Sequence, residues 1–303
     1  MRQFCYSIFF TLLAVSAWAQ PATSAKYAPT VEENALLWEI SGKELANPSY
    51  LFGTIHMIGK EDFFLTDATK SSLEKAQQVT FEIDMEDMMD VAKLVPLLMK
   101  SFMANDTTLS DLLNEEDYKL VEEHFEAVGL PMMFLNRIKP MFLSALGGED
   151  MFSLGSGEES QMVSYEMELM QMAQGRQLPI EGLETAEYQM SMFDSIPYTV
   201  QAQMLVESIK SGSADDGQFG QMVELYKNQD LQGMQSMMAD EASGIGGYED
   251  LLLVRRNRNW IPVMGEMMMA KPTFFAVGAG HLGGDEGVVA LLREAGYVVK
   301  PLK

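Results

Sequence analysis

Two segments near opposite ends of this 303-residue chain share one pattern, and that pattern restricts the available folds more than any other feature. Tyr50-Leu51-Phe52-Gly53-Thr54-Ile55-His56 and Phe274-Phe275-Ala276-Val277-Gly278-Ala279-Gly280-His281 each run from an apolar strand through a glycine and two residues to a histidine. The histidines are 225 positions apart. Each stands just past the C-terminal end of its strand, where open α/β sheets bind ligands. The glycine three residues before each histidine is expected to let the backbone turn sharply off the strand, so that the imidazole faces a cleft. A single histidine after a strand reads as a hydrogen-bonded structural residue; repetition of the setting favours a shared site.

The rest of the chain fits around these two ends. Leu36 to Ser41 reads as a strand joined to the first histidine segment by a turn containing Gly42 and Asn47-Pro48. A helix is expected after Thr66-Asp67, capped by one of them and ending near Gln77, followed by an alternating strand from Gln78 to Asp84. From about 88 to 270 the spacing turns helical, broken at Asn105-Asp106, Gly129-Leu130-Pro131, Gly147 to Gly157 and Ser211 to Gly217, with one short strand at Leu178 to Leu183. The end reads as strand (Thr273 to Val277), helix (about Gly284 to Ala295) and strand (Tyr297 to Pro301). The expected fold is α/β (α+β): a central sheet formed by N-terminal and C-terminal strand groups, with a large helical insert between them, in a single domain over 35–303.

Residues 1–19 read as a cleavable signal peptide. Arg2 precedes the apolar run Ile8 to Val15 and the small-x-small site Ala17-Trp18-Ala19. The run is shorter than the ~20 residues a membrane-spanning helix needs, and no later segment is long and apolar enough. A periplasmic or secreted protein is expected, with 20–34 as an extended leader. Cleavage would remove Cys5, the sole cysteine, so any metal site in the mature chain has to use histidine and carboxylate. Against 21 basic residues stand 44 acidic ones, a formal net charge of -23 that repels phosphate backbones and makes nucleic acid an unsuitable partner. The 26 methionines fall mostly in helical stretches and read as core filler.

Two imidazoles make an incomplete metal site, because a divalent ion such as zinc usually takes three protein ligands. Glu82 is the candidate third. Alternation places Glu82 and Asp84 opposite Phe81 and Ile83, which fits either a ligand beside His56 or an ordinary strand-edge glutamate. His124, in the acidic run Glu122 to Glu126, reads as part of a solvated helix face. Gly283-Gly284-Asp285-Glu286-Gly287 reads as a helix entry, with the two acids at the positive end of the dipole.

Leu51 to His56, the strand with Glu82, Glu181-Gly182-Leu183-Glu184-Thr185 followed by Gln189, Arg256-Asn257-Arg258-Asn259-Trp260, and Val277 to Gly284 through Gly296-Tyr297-Val298-Val299 occur in an order that resembles the TraB/GumN family, which includes the Tiki-type metalloproteases. The resemblance implies a metal-dependent, peptidase-like hydrolase acting on peptide or protein. It implies His56 and His281 as metal ligands, Glu82 as third ligand or general base, and Glu184 as a second active-site carboxylate. The divalent ion implied is Zn, Mn or Co. Arg256 and Asn257 match the family's Arg-Asn pair; Arg256 could orient Glu82 or Glu184 by a bidentate ion pair, or hold a substrate carboxylate or developing oxyanion. Ser164-Tyr165-Glu166 stands where many relatives have Gly-x-Asp, with Glu166 as a substitute. Two rival functions keep a similar fold: a non-catalytic peptide-sequestering protein, and a metal-free esterase in which histidine is the base.

Overall fold

The computed structural model describes residues 26–85, 90–146, 161–210, 217–239 and 247–303. The expected signal peptide, Cys5, Met88-Met89 and the Gly147 to Gly157 break lie outside them. The two ends of the chain, joined by one strand from the middle of the insert, build one six-stranded sheet of mixed direction, in the order β6-β4-β7-β2-β1-β8. β1 (Leu37–Ser41) pairs antiparallel with β2 (Ser49–Thr54) on one side and β8 (Val298–Leu302) on the other. β2 then runs parallel to β7 (Thr273–Gly278), β7 to β4 (Gln78–Ile83), and β4 to β6 (Ile180–Glu184).

The centre of the sheet follows from hydrophobic patterning. Every residue of β2 is buried, as is all of β7 except Gly278, which is what a parallel strand covered on both faces requires. The edge strands β6 and β8 are only partly buried, with Ile180 and Leu183 buried in β6 and Val299 in β8. Register places Thr54 opposite Gly278 and Ile83 opposite Glu184, so four parallel strands end side by side. Trp38, Tyr50, Phe52, Phe81, Trp260, Phe274 and Phe275 are among the largest side chains in the sheet's core.

The helices connect these strands. α1 (Asp67–Lys75) begins where expected, with the Thr66 hydroxyl accepting from the Thr69 N–H at 3.1 Å, and stops two residues short of Gln77. The insert contributes α2 (Val91–Lys100), α3 (Leu109–Leu112), α4 (Glu115–Ala127), α5 (Met132–Leu135), α6 (Pro140–Leu146), α7 (Tyr165–Gly175), α8 (Ala186–Phe193), α9 (Tyr198–Lys210), α10 (Gln218–Lys227), α11 (Leu231–Ala239) and α12 (Arg255–Ala270). Met103, Leu109, Val121, Phe125, Met132, Leu135, Leu143, Leu205 and Val206 form a second apolar cluster, so helices α3 to α6 and α9 have their own core. α13 (Val288–Glu294) leads into β8.

Some details differ from the sequence reading. β3 (Ile58–Gly59) and β5 (Met162–Val163) form a separate two-stranded ladder, too short to leave a periodic signal. Neither glycine before the histidines adopts a left-handed backbone: Gly53 is not among the positive-φ residues, and Gly278 has φ −52°. Their value is close approach. A Cβ at Gly53 would lie 2.6 Å from Leu282 Cδ1 and 3.1 Å from Ala279 Cα. The helix expected from Gly284 starts at Val288, and Glu286 pairs with Arg258 at 2.8 Å instead of serving its first turn. The methionine pairs split between interior and surface: Met132 and Met268 are buried, while Met133 and Met269 are exposed.

Candidate functional site

His56 lies two residues beyond β2, and His281 lies in a 3-10 turn (Ala279–His281) directly after β7. Glu82 comes from β4 and Glu184 from the last position of β6. Arg256, Asn257 and Trp260 lie in the first two turns of α12. The ends of the parallel strands thus gather residues from positions 54 to 281 into one region, the crevice in which open α/β sheets hold ligands.

Arg256 organises this region. Its side chain is 8 % exposed, and its Nε donates to Glu184 Oε1 at 2.8 Å. Its Nη2 binds Glu82 Oε2 and lies 2.7 Å from Glu184 Oε1. Nη1 donates to the Leu252 carbonyl at 3.1 Å and sits 3.1 Å from His281 Nε2. One guanidinium therefore holds both carboxylates, using the planar fork that lysine lacks. Arg256 Cζ lies 4.8 Å from the centre of the Trp260 ring, one helical turn on. Trp260 in turn donates Nε1–H to Glu184 Oε2 at 3.0 Å and packs against the His281 ring, with centroids 4.5 Å apart and planes tilted by 43°. Arg255 and Arg258, its neighbours in sequence, make exposed pairs with Asp250 and Glu286.

The hydrogen bonds fix the protonation of His281. Asn257 Nδ2 donates to the Glu286 carbonyl at 2.8 Å, which turns Asn257 Oδ1 toward His281 Nδ1 at 2.6 Å. Nδ1 therefore carries the proton, and Nε2 presents a lone pair to Arg256. Burial, reinforced by the neighbouring Arg256 charge against the opposing pull of Glu82, pushes the His281 pKa down to about 3, so the ring is neutral. Burial works against an ionised Glu82, but the positive charge around it and the Gly278 N–H, at 2.8 Å from Oε1, outweigh it and keep its pKa below the ordinary carboxylate value. Gln189 Nε2 adds a bond to Glu82 Oε2 at 3.1 Å. Glu184 is shifted the other way: burial raises its pKa against the lowering effect of Arg256 and Trp260.

His56 stands apart from this cluster. Its side chain is 75 % exposed, and Nδ1 lies 3.1 Å from Glu166 Oε1. Thr54 Oγ1 donates to the same oxygen at 2.7 Å, and Ser164 Oγ to the other at 3.2 Å. The hydrogen bond with Glu166 raises the His56 pKa to about 9. No hydrogen bond or ion pair among the described residues joins His56 to Glu82 or His281. His124 is on α4, edge-on to Phe125 at 5.2 Å.

The donor set matches a borderline divalent ion in kind, with two imidazoles and a carboxylate. Its arrangement does not fit one. Among the described residues no three His, Asp or Glu side chains converge as metal ligands must. The lone pair His281 has to offer faces the Arg256 guanidinium, and Glu166 holds Nδ1 of His56.

Sequence reasoning named Glu82, Glu184, Arg256, Asn257 and His281, and the structure brings these together. It named Glu166 without a partner, which turns out to be His56. Trp260 and Gln189 were quoted without a role, and Thr54 was passed over although it lies inside the repeated segment. The four-residue step from Arg256 to Trp260, placing both on one helix face, is the signal that could have found the tryptophan.

The chain is similar to Metalloprotease TIKI2 of Danio rerio, 22% identical over 320 residues, covering 88% of this chain and 61% of that protein. Metalloprotease TIKI1 of Homo sapiens is 22% identical over 323 residues, covering 89% and 62%. The chain thus spans about three fifths of the length of these curated relatives. No solved structure matches it significantly. The model of the TraB/PrgY/gumN family matches residues 36–301, from just before β1 into β8, and the chain belongs to that family.

Proposed function

We propose that the protein is an exported, metal-dependent, peptidase-like hydrolase of the Tiki type, acting on peptide or protein substrates. The observation that carries this is the grouping of Glu82, Glu184, Arg256 and His281 where the parallel strands end, a ligand-binding position in such sheets. The relatives named as metalloproteases supply the reaction class.

In this reading Glu82 is the working carboxylate. Two neighbouring donors and Arg256 keep it ionised, the state a proton acceptor needs. Asn257 holds His281 as the Nδ1–H tautomer, leaving Nε2 as a base or ligand atom. Glu184, with both oxygens occupied by Arg256 and Trp260, positions the arginine and does not itself transfer protons. Cationic His56 at the exposed rim offers a partner for a substrate carboxylate or carbonyl. Were a divalent ion bound, with Zn, Mn and Co the candidates, His281, Glu82 and a deprotonated His56 would be its candidate ligands, and Glu82 would then serve as ligand in place of proton acceptor.

The test is elemental analysis of the purified protein, followed by turnover of a peptide library with and without chelator. Expected are a bound divalent ion, chelator-sensitive cleavage, and loss of cleavage in His56→Ala, Glu82→Ala and His281→Ala. Metal-free protein that stays inactive after addition of Zn²⁺, Mn²⁺ or Co²⁺ rejects the reading. A second reading, a non-catalytic peptide-sequestering protein, is favoured by the fact that Arg256 and Asn257 already satisfy both nitrogens of His281. It predicts peptide binding without turnover.

A further inference from the structure

We propose that Arg256 is a resident cation that occupies the place a divalent ion would take, and that metal reaches Glu82 and His281 only when the guanidinium releases them. The proposal rests on the metal-dependent reading of this site. His281 has one lone pair to give, because its other nitrogen is protonated toward Asn257. Nη1 of Arg256 lies against that lone pair, and Nη2 against Glu82 Oε2. While both contacts are made, neither the Nε2 lone pair nor Oε2 is available to an ion, and the guanidinium charge repels a second cation beside it.

The arginine has an anchorage that survives displacement. Its Nε and Nη2 engage Glu184, whose far oxygen is held by the Trp260 indole N–H. Rotation of the outer side chain can withdraw Nη1 and Nη2 from His281 and Glu82 while Nε keeps its bond to Glu184 Oε1. The empty and loaded states then differ in which cation neutralises Glu82. Glu184 and Trp260 are accordingly positioning residues, which set how firmly the arginine holds the site shut.

The experiment titrates Co²⁺ into wild type, Arg256→Met, Arg256→Lys and the control Arg258→Met, following calorimetry and cobalt visible absorption, with circular dichroism to verify folding. Arg256→Met is expected to bind Co²⁺ about tenfold or more tightly than wild type, a normal size for competition between two ligands. Arg256→Lys keeps the charge but lacks the fork, so an intermediate gain separates occlusion from simple charge removal. Arg258→Met, which loses an exposed charge nearby, is expected to match wild type. Because Arg256→Met leaves two buried carboxylates unpaired, the wild type is also titrated with Zn²⁺ while the arginine Nε and Nη resonances are recorded, and the Arg256 signals are expected to shift in step with binding. Equal or weaker Co²⁺ binding by both Arg256 variants overturns the proposal, as do Arg256 signals unchanged at saturation. Failure of the underlying reading looks different: wild-type cleavage that resists chelator, while Arg256→Met still gains affinity, rejects metal-dependent catalysis and leaves the arginine competition standing.

Discussion

Replacing Arg256 by methionine isolates the electrostatics of the site, because methionine keeps the aliphatic stem and removes only the fork. In the wild type the guanidinium is buried between Glu82 and Glu184, which are also largely buried. Removing one partner of a buried ion pair typically costs ~3–5 kcal/mol, since the remaining charge is left without compensation. Two features place the loss near the lower end. Glu82 keeps its bonds from Gly278 and Gln189, and Glu184 keeps that from Trp260. Burial already raises the Glu184 pKa, so this carboxylate can escape the penalty by taking up a proton. A loss of about 3 kcal/mol corresponds to roughly 6–12 °C in Tm for a domain of this size. Urea unfolding followed by circular dichroism measures it, together with the double variant Arg256→Met/Glu184→Gln, in which about 1 kcal/mol or more should return because one stranded charge is gone. A single variant within about 1 kcal/mol of wild type, or a double variant no more stable than the single one, would refute the claim that Arg256 neutralises this pair.

Other expectations concern neighbouring contacts. Trp260→Phe strands Glu184 Oε2 and should cost ~1–3 kcal/mol, read from the urea midpoint. Asn257→Leu frees His281 Nδ1, so long-range ¹⁵N correlation spectra should show the imidazole leaving the pure Nδ1–H tautomer; an unchanged spectrum would remove Asn257 from that role. Gly53→Ala drives a Cβ toward the Ala279 backbone and should destabilise by ~1–3 kcal/mol without altering the site's charges. The Glu33–Arg293 pair gives a pH test, because the hydrogen bond from Arg293 lowers the Glu33 pKa below its value of 4.5. Its contribution is complete above the unfolded-state pKa and is lost as pH falls through the folded-state pKa. Glu33→Gln should therefore cost ~0.5–1 kcal/mol at pH 7, with the gap to wild type closing in acid.

The sheet was legible because its signals are local. Apolar runs ending in glycine and histidine, and the alternation from Gln78 to Asp84, reflect burial patterns confined to six or seven residues. The pairing of β2 with β7 was not read from the sequence, where the resemblance of the two segments pointed only to a shared site. What escaped depended on distance in sequence. The pairing of Arg256 with Glu82, 174 positions away, was expected only through the family resemblance and not from the residues around it, and the sequence around His56 does not announce Glu166. The role of the glycines was misread for a related reason: the need for a bare Cα at Gly53 comes from Leu282 and Ala279, which only the folded chain brings close. The short β3–β5 ladder, which links the strand after His56 to the one before Glu166, is two residues per strand and carries no pattern to detect.

The seating of β7 between β2 and β4 also sets the order in which the protein can come into being. Until Thr273 to Gly278 has been synthesised and has left the ribosome, β2 and β4 have no partner between them and their central pairing edges stay open. A nascent or truncated chain ending before Thr273 therefore exposes two strands with strongly apolar faces, the kind of surface that recruits chaperones or aggregates. The same dependence acts as a safeguard: His281 and the Gly278 N–H that steadies Glu82 arrive with that late strand, so a partly made chain contains no assembled site.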